Sequence, residues 1–197
     1  FSLTEINSSA ATKHIALTAK NVHVLSGFKA DIIASFPKDL ASIVSLTVDH
    51  QGHLLASSQN DKLFRIIPGE LNQIPCVTNI HQIPIPLGGA HGILYAFGHL
   101  YVVKTDGDGE RGVYRLKDID KKGAFADPEL IVPIPGKGEH GAHGLVVGPL
   151  GRWIYLIAGN GTGTPNDLQR NLPPSVKPTD SFNTPARQGW VIRFSPD

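Results

Sequence analysis

The sequence predicts an all-β fold, a β-propeller of which about three blades are present in 197 residues. Short apolar runs with a two-residue alternation are bounded by Gly, Asp, Asn and Pro, as strands and tight turns require. An inner turn and strand recur as Gly52-His53-Leu54-Leu55, Gly98-His99-Leu100-Tyr101 and, more loosely, Gly151-Arg152-Trp153-Ile154-Tyr155. A closing strand recurs as Leu63-Phe64-Arg65-Ile66, Val113-Tyr114-Arg115-Leu116 and Val191-Ile192-Arg193-Phe194. Gly52 and Gly98 are 46 residues apart, a spacing that suits one four-stranded blade. A small sheet cannot bury both faces alone, so such units must stack. Three of them make half of a six-bladed ring, or less of a larger one. The chain therefore reads as the front part of a longer protein.

Taken in order, residues 1–26 form an N-terminal segment, either a lead-in or the ring's closing strand, and 27–197 the partial propeller. In the lead-in region Lys20 to Leu25 and Lys29 to Ser35 alternate weakly enough to be strands around Gly27. The first unit predicts strands at Leu46–Val48, His53–Ser57 and Lys62–Ile67. The second predicts Ile93–Ala96, His99–Lys104 and Gly112–Leu116. "GLVVGPLGRWIYLIAGN" opens the third, which "GWVIRFSPD" completes after a long insertion at 159–188. Gly89-Ala90-His91-Gly92 and Gly141-Ala142-His143-Gly144 are a further echo, at the starts of equivalent strands.

Lys plus Arg (18) nearly balance Asp plus Glu (17), which gives no electrostatic case for nucleic acid as a partner. No run approaches the roughly 20 apolar residues of a membrane-spanning helix. Cys76 is the lone cysteine, so this stretch makes no internal disulfide, and it carries no Cys-x-x-Cys-His haem motif.

His140 and His143 flank a Gly-Ala turn before an apolar strand. An imidazole can take a proton near neutral pH, and Glu139 beside it could orient the ring. With His91 from a neighbouring blade, the two could also make a zinc site. "TDGDGERG" sets Asp106, Asp108 and Glu110 on one glycine-rich loop, a pattern that can wrap calcium. "DIDKKGAFADPE" has the calcium-loop spacing at Asp118, Asp120 and Glu129, but places Lys122 where a ligand oxygen is expected. In the insertion, Arg170 and Arg187 could present guanidinium groups to an acidic ligand, and Asn160 could bond a polar one. The bland reading of the insertion is a surface flap.

The segment "EHGAHGLVVGPLGRWIYLIAGNGTG" resembles the soluble quinoprotein glucose/sorbosone dehydrogenase superfamily, and "VSLTVDHQGHLLASSQNDKLFRI" is similar to its opening blade. More narrowly, residues 27–197 are similar to the large secreted "membrane-bound dehydrogenase-like" propellers of planctomycetes. The resemblance implies a secreted or periplasmic oxidoreductase that uses pyrroloquinoline quinone on a sugar or other alcohol. A cytochrome c, or a fused haem domain outside this chain, would accept the electrons. It carries the family's general base onto His140 and the neighbouring acidic residue onto Glu139. The family's other ligands lie mainly in later blades, so His143, Asn160, Arg170 and Arg187 stand as cofactor-contact candidates on their own chemistry and position. Gly144 stands where the family has an arginine, which removes an expected cation. That departure suits an alternative, a non-catalytic propeller module that binds a protein or carbohydrate.

Overall fold

The computed structural model describes residues 22–28, 30, 32, 36, 42–59, 62–69, 77–85, 87, 89–119, 124–134, 140–162 and 189–196. They form eleven strands: β1 (Ile43–Val48), β2 (Leu54–Ser58), β3 (Leu63–Pro68), β4 (Val77–Ile83), β5 (Ala90–Ala96), β6 (His99–Lys104), β7 (Gly112–Lys117), β8 (Glu129–Pro133), β9 (Ala142–Val147), β10 (Ile154–Ala158) and β11 (Trp190–Phe194). No helix among the described residues is long and apolar enough to cross a membrane.

The strands make small antiparallel sheets in chain order: β1-β2-β3-β4, β5-β6-β7-β8 and β9-β10-β11. Sequential up-and-down order is the strand plan of propeller blades. The repeated turn of the sequence joins the first two strands of each sheet. Gly52, Gly98 and Gly151 all sit at positive φ there (82°, 72° and 61°), a conformation that other residues adopt only at a cost.

The outermost strands β4 and β8 were not legible as strands. They are edge strands, bordered by Pro84 and ending at Pro133, with polar residues interleaved, so their apolar alternation is weak. Val22–Leu25, part of the expected strand over Lys20 to Leu25, takes up no ladder and leads into a turn at Ser26–Gly27. Most of the second expected strand lies outside the described residues.

Successive sheets meet through their first strands, β1 on β5 and β5 on β9. Ser45 Oγ accepts from the Ile93 amide (3.1 Å) and Thr47 Oγ1 from the Tyr95 amide (3.0 Å), so polar side chains of β1 satisfy backbone donors on β5. Between β5 and β9 there is no room even for a methyl group. A Cβ on Gly92 would overlap the His143 carbonyl oxygen.

β6 divides the apolar interior. Leu100 and Val102 pack with Leu55, Leu63, Ile83 and Ile93 between the first and second sheets. Tyr101 and Val103 pack with Ile154, Leu156 and Trp190 between the second and third. Alternating residues of one strand thus serve two cores, as the strand's two-residue period dictates. The outer sheets keep apolar residues on their far sides. Val44, Leu46 and Val48 are exposed on β1, and Val146, Ile157 and Val191 are exposed on β9, β10 and β11.

Candidate functional site

The topology gives the assembly two ends. At one lie the starts of β5 and β9, the β6–β7 connection and the start of the β10–β11 insertion. Backbone bonds tie them together: Thr105 N to Gly89 O (3.1 Å), Gly159 N to Gly141 O (2.8 Å) and Gly161 N to His140 O (2.7 Å). Glycines are needed where these segments touch. A Cβ on Gly159 would come within 2.6 Å of the His140 carbonyl oxygen.

His91 and His143, the equivalent histidines of successive sheets, stack here with ring centroids 5.2 Å apart. His140, three residues before His143, faces solvent, and its Nδ1 lies 3.0 Å from Asn160 Oδ1. The amide oxygen can only accept, so a neutral His140 in this bond donates its Nδ1 proton and keeps the Nε2 lone pair. That is the tautomer a proton acceptor needs. Asn160, read from sequence as a ligand contact, is therefore also the group that orients the ring.

The remaining sequence candidates distribute as follows. Asp106, Asp108 and Glu110 are exposed on the β6–β7 loop, where the Lys104 ammonium donates to the Asp108 main-chain carbonyl. Asp118 is buried at the opposite end of the assembly, and Glu129 is bound by Arg115 through Nη2 (2.8 Å) and Nε (3.3 Å). Asp120, Glu139, Arg170 and Arg187 lie outside the described residues. Among the described residues no three His, Cys, Asp or Glu side chains gather as metal ligands. The zinc reading of His91, His140 and His143 is not formed, and neither acidic loop assembles a calcium cage from the residues described.

The same residues bear on the quinone of the resembled family. Gly144 cannot simply be replaced by the family's arginine, because a Cβ there would come within 2.8 Å of Ile157 Cγ2. Lys104 is committed to the loop carbonyl. The buried Arg111 Nε has no acceptor among the described residues. One guanidinium does not match the several carboxylates of such a quinone. The described residues supply a proton acceptor and its orienting amide, but they do not by themselves fit the cofactor.

The opposite end carries a polar network that the sequence did not reveal. Asp49, 5% exposed, opens the β1–β2 turn; its Oδ1 accepts from the Gln51 and His53 amides, both at 2.9 Å. Its Oδ2 faces His53 Nδ1 (3.2 Å) and Arg65 Nε (3.6 Å). Nearby, the Tyr95 hydroxyl donates to Asp118 Oδ2 (3.0 Å). With the phenol proton spent there, His50 donates from Nδ1 to the Tyr95 oxygen (2.9 Å). Burial, then the bond to Asp118 and the charges of Asp118 and Asp49, push the Tyr95 phenol up to about 12. The Asp-x-x-Gly-His turn was the one available sequence signal, since Asp commonly caps such turns.

No protein-family model matches the chain, and no curated protein does. Among solved structures the chain is similar to a protein of Thermus thermophilus described provisionally as an oxidoreductase (glucose dehydrogenase). The identity is 16% and the TM-score 0.45, over 61% of this chain and 38% of that one. The chain thus spans well under half the length of that protein.

Proposed function

We propose that the three sheets are consecutive blades of a larger β-propeller, and that the end bearing His140 receives a sugar or other alcohol for oxidation. One observation carries the ring. The middle sheet is buried on both faces. In the first, β2 and β3 are also covered on both, with Ala56, Phe64 and Ile66 packed against Phe36. Only the β1 stripe stays open there, while the third sheet leaves one apolar face uncovered across its strands, as blades flanking further blades would. First strands packed side by side also bring equivalent blade starts to a common mouth, which is where the His91–His143 stack lies.

The activity rests on the resemblance drawn from sequence and on the chemistry of the His140–Asn160 pair. In this reading Asn160 fixes the imidazole tautomer, and His140 Nε2 takes the proton of a bound hydroxyl. The oxidant, a quinone in the family resembled, would have to be held by groups beyond the described residues, with Arg170 and Arg187 the first to test. Electrons would leave to a cytochrome c type acceptor, in a periplasmic or extracellular setting.

The alternative is a non-catalytic propeller module that binds a carbohydrate or protein, and the crowded Gly144 position favours it. The natural full-length protein should decide. Saturable binding of pyrroloquinoline quinone, with dye-coupled oxidation of a sugar panel lost in His140→Ala but not in fold, supports the enzyme. Carbohydrate or protein binding without quinone binding overturns the enzyme reading and selects the module.

A further inference from the structure

We propose that the end of the assembly opposite His140 docks on a membrane surface, its turn tips placing apolar side chains among the headgroups of anionic lipids. The inference does not depend on the oxidation reading.

β1 and β5 run in the same direction, since Ser45 and Thr47 meet Ile93 and Tyr95 in that order, and β5 and β9 start together at the His91–His143 stack. The turns that follow these strands therefore emerge at one level. Two of them carry an apolar side chain that their geometry does not ask for. The β5–β6 turn is Phe97-Gly98, with both residues at positive φ (53° and 72°), a conformation that Asn, Asp and Gly supply in such hairpins. Phe97 stands there instead and is 41% exposed. The β9–β10 connection holds the turn Gly148-Pro149-Leu150-Gly151, closed by the Gly151 amide on the Gly148 carbonyl (2.9 Å). Such turns favour Gly, Asn, Asp and Ser, yet the third position is Leu150, 79% exposed. The matching position of the β1–β2 turn, closed by Gly52 on Asp49 (3.1 Å), is the polar Gln51. Two turns that depart from their own chemistry in the same way, at the same level, point to a use outside the chain.

Two more apolar side chains join them. Trp153, just before β10, and Ile119, just after β7, are exposed at this end. The Asp118 amide bonds the Gly98 carbonyl (3.2 Å) and so keeps Ile119 near the Phe97 turn.

The charges select the partner. Lys117 and Arg152 are exposed within two residues of Ile119 and Leu150, and the exposed Arg193 lies over the Trp153 ring. Among the described acids of this end, Asp49 and Asp118 are buried, Glu129 is bound by Arg115, and only Asp127 is otherwise exposed. Cations set between apolar tips match lipid phosphates above hydrocarbon, and a tryptophan ring is favoured at that boundary. The shape agrees with the charge. Phe97 and Leu150 belong to adjacent sheets, which pack about 10 Å apart, so they are separate protrusions. A fluid headgroup layer admits such points directly, whereas a folded protein would need a pocket for each.

The test mixes the full chain with vesicles of phosphatidylcholine, alone or with about one-third phosphatidylglycerol, and follows co-sedimentation and tryptophan emission. Uptake on the anionic vesicles is expected to be at least about tenfold stronger than on neutral ones, and to fall away in about 0.5 M salt. Phe97→Asn combined with Leu150→Asn, each suited to its turn, should lower uptake by about tenfold or more without loss of stability to urea. Arg152→Glu leaves both tips in place and should weaken uptake about fivefold or more on the anionic vesicles alone. Equal uptake on neutral vesicles, no uptake, or a double variant that sediments like the parent overturns the proposal. Dimerisation that the double variant loses, without vesicle uptake, also overturns it and assigns the tips to a second copy of the chain.

Discussion

The two ends of the assembly are built on opposite plans. At the His140 end the backbone does the holding: carbonyls of one segment meet amides of another across glycines, and His140 stands in solvent. At the Asp118 end the side chains do the holding, through two buried carboxylates, a phenol and a guanidinium. The first plan lets an exposed side chain such as His140 change with little effect on stability, while the glycines at the contacts admit no side chain. In the second, stability and ionisation cannot be separated.

Substitutions should divide along that line. Gly92→Ala is the most damaging change expected, because its methyl group meets a β9 carbonyl that cannot move independently. A loss of about 3 kcal/mol in urea unfolding is anticipated, and a loss below 1 kcal/mol would mean that β5 and β9 are not in such close contact. Asp49→Ala comes next at about 2 kcal/mol, since two turn amides lose their acceptor and Arg65 its anion. Thermal melts of that variant beside His140→Ala would sharpen the contrast, the exposed histidine costing less than about 0.5 kcal/mol. Phe97→Gly should raise stability by about 1 kcal/mol through relief of the left-handed backbone.

The last difference is a pH effect confined to one end. The folded Tyr95 phenol ionises at about 12 against 10.0 when unfolded, so the unfolded chain releases its proton first. Its contribution is complete below pH 10 and is lost as pH rises from 10 towards 12. Phenolate absorbance and alkaline unfolding of Tyr95→Phe beside the parent would detect it; identical alkaline profiles would show that the phenol is not held by Asp118.

The repeat was legible because it is local. Gly52, Gly98 and Gly151 mark turns that must be left-handed, and Arg65, Arg115 and Arg193 mark the third strand of each sheet. The fate of those arginines was not legible. One pairs with Asp49, one with Glu129 and the Pro196 carbonyl, and one lies over the Trp153 ring at 4.7 Å. Each partner comes from elsewhere in the chain, so strand periodicity is silent about it. The same holds for the candidate sites. His140 could be singled out from its turn and from resemblance, while Asn160, 20 residues on, becomes its orienting partner only when β9 and β10 pair. Asp118 drew attention for calcium spacing, but its neighbours are Tyr95 on β5 and His50 in the β1–β2 turn, both distant in sequence.

β6 lies between two cores and has a consequence for motion. Leu100 to Lys104 are all buried, with odd and even positions facing different neighbours. Its amide protons can reach solvent only when the ladder to β5 and β7 opens, and neither flanking sheet can leave without baring half of the strand's side chains. Deuterium uptake along this single strand is therefore a gauge of how readily the flanking sheets part from it.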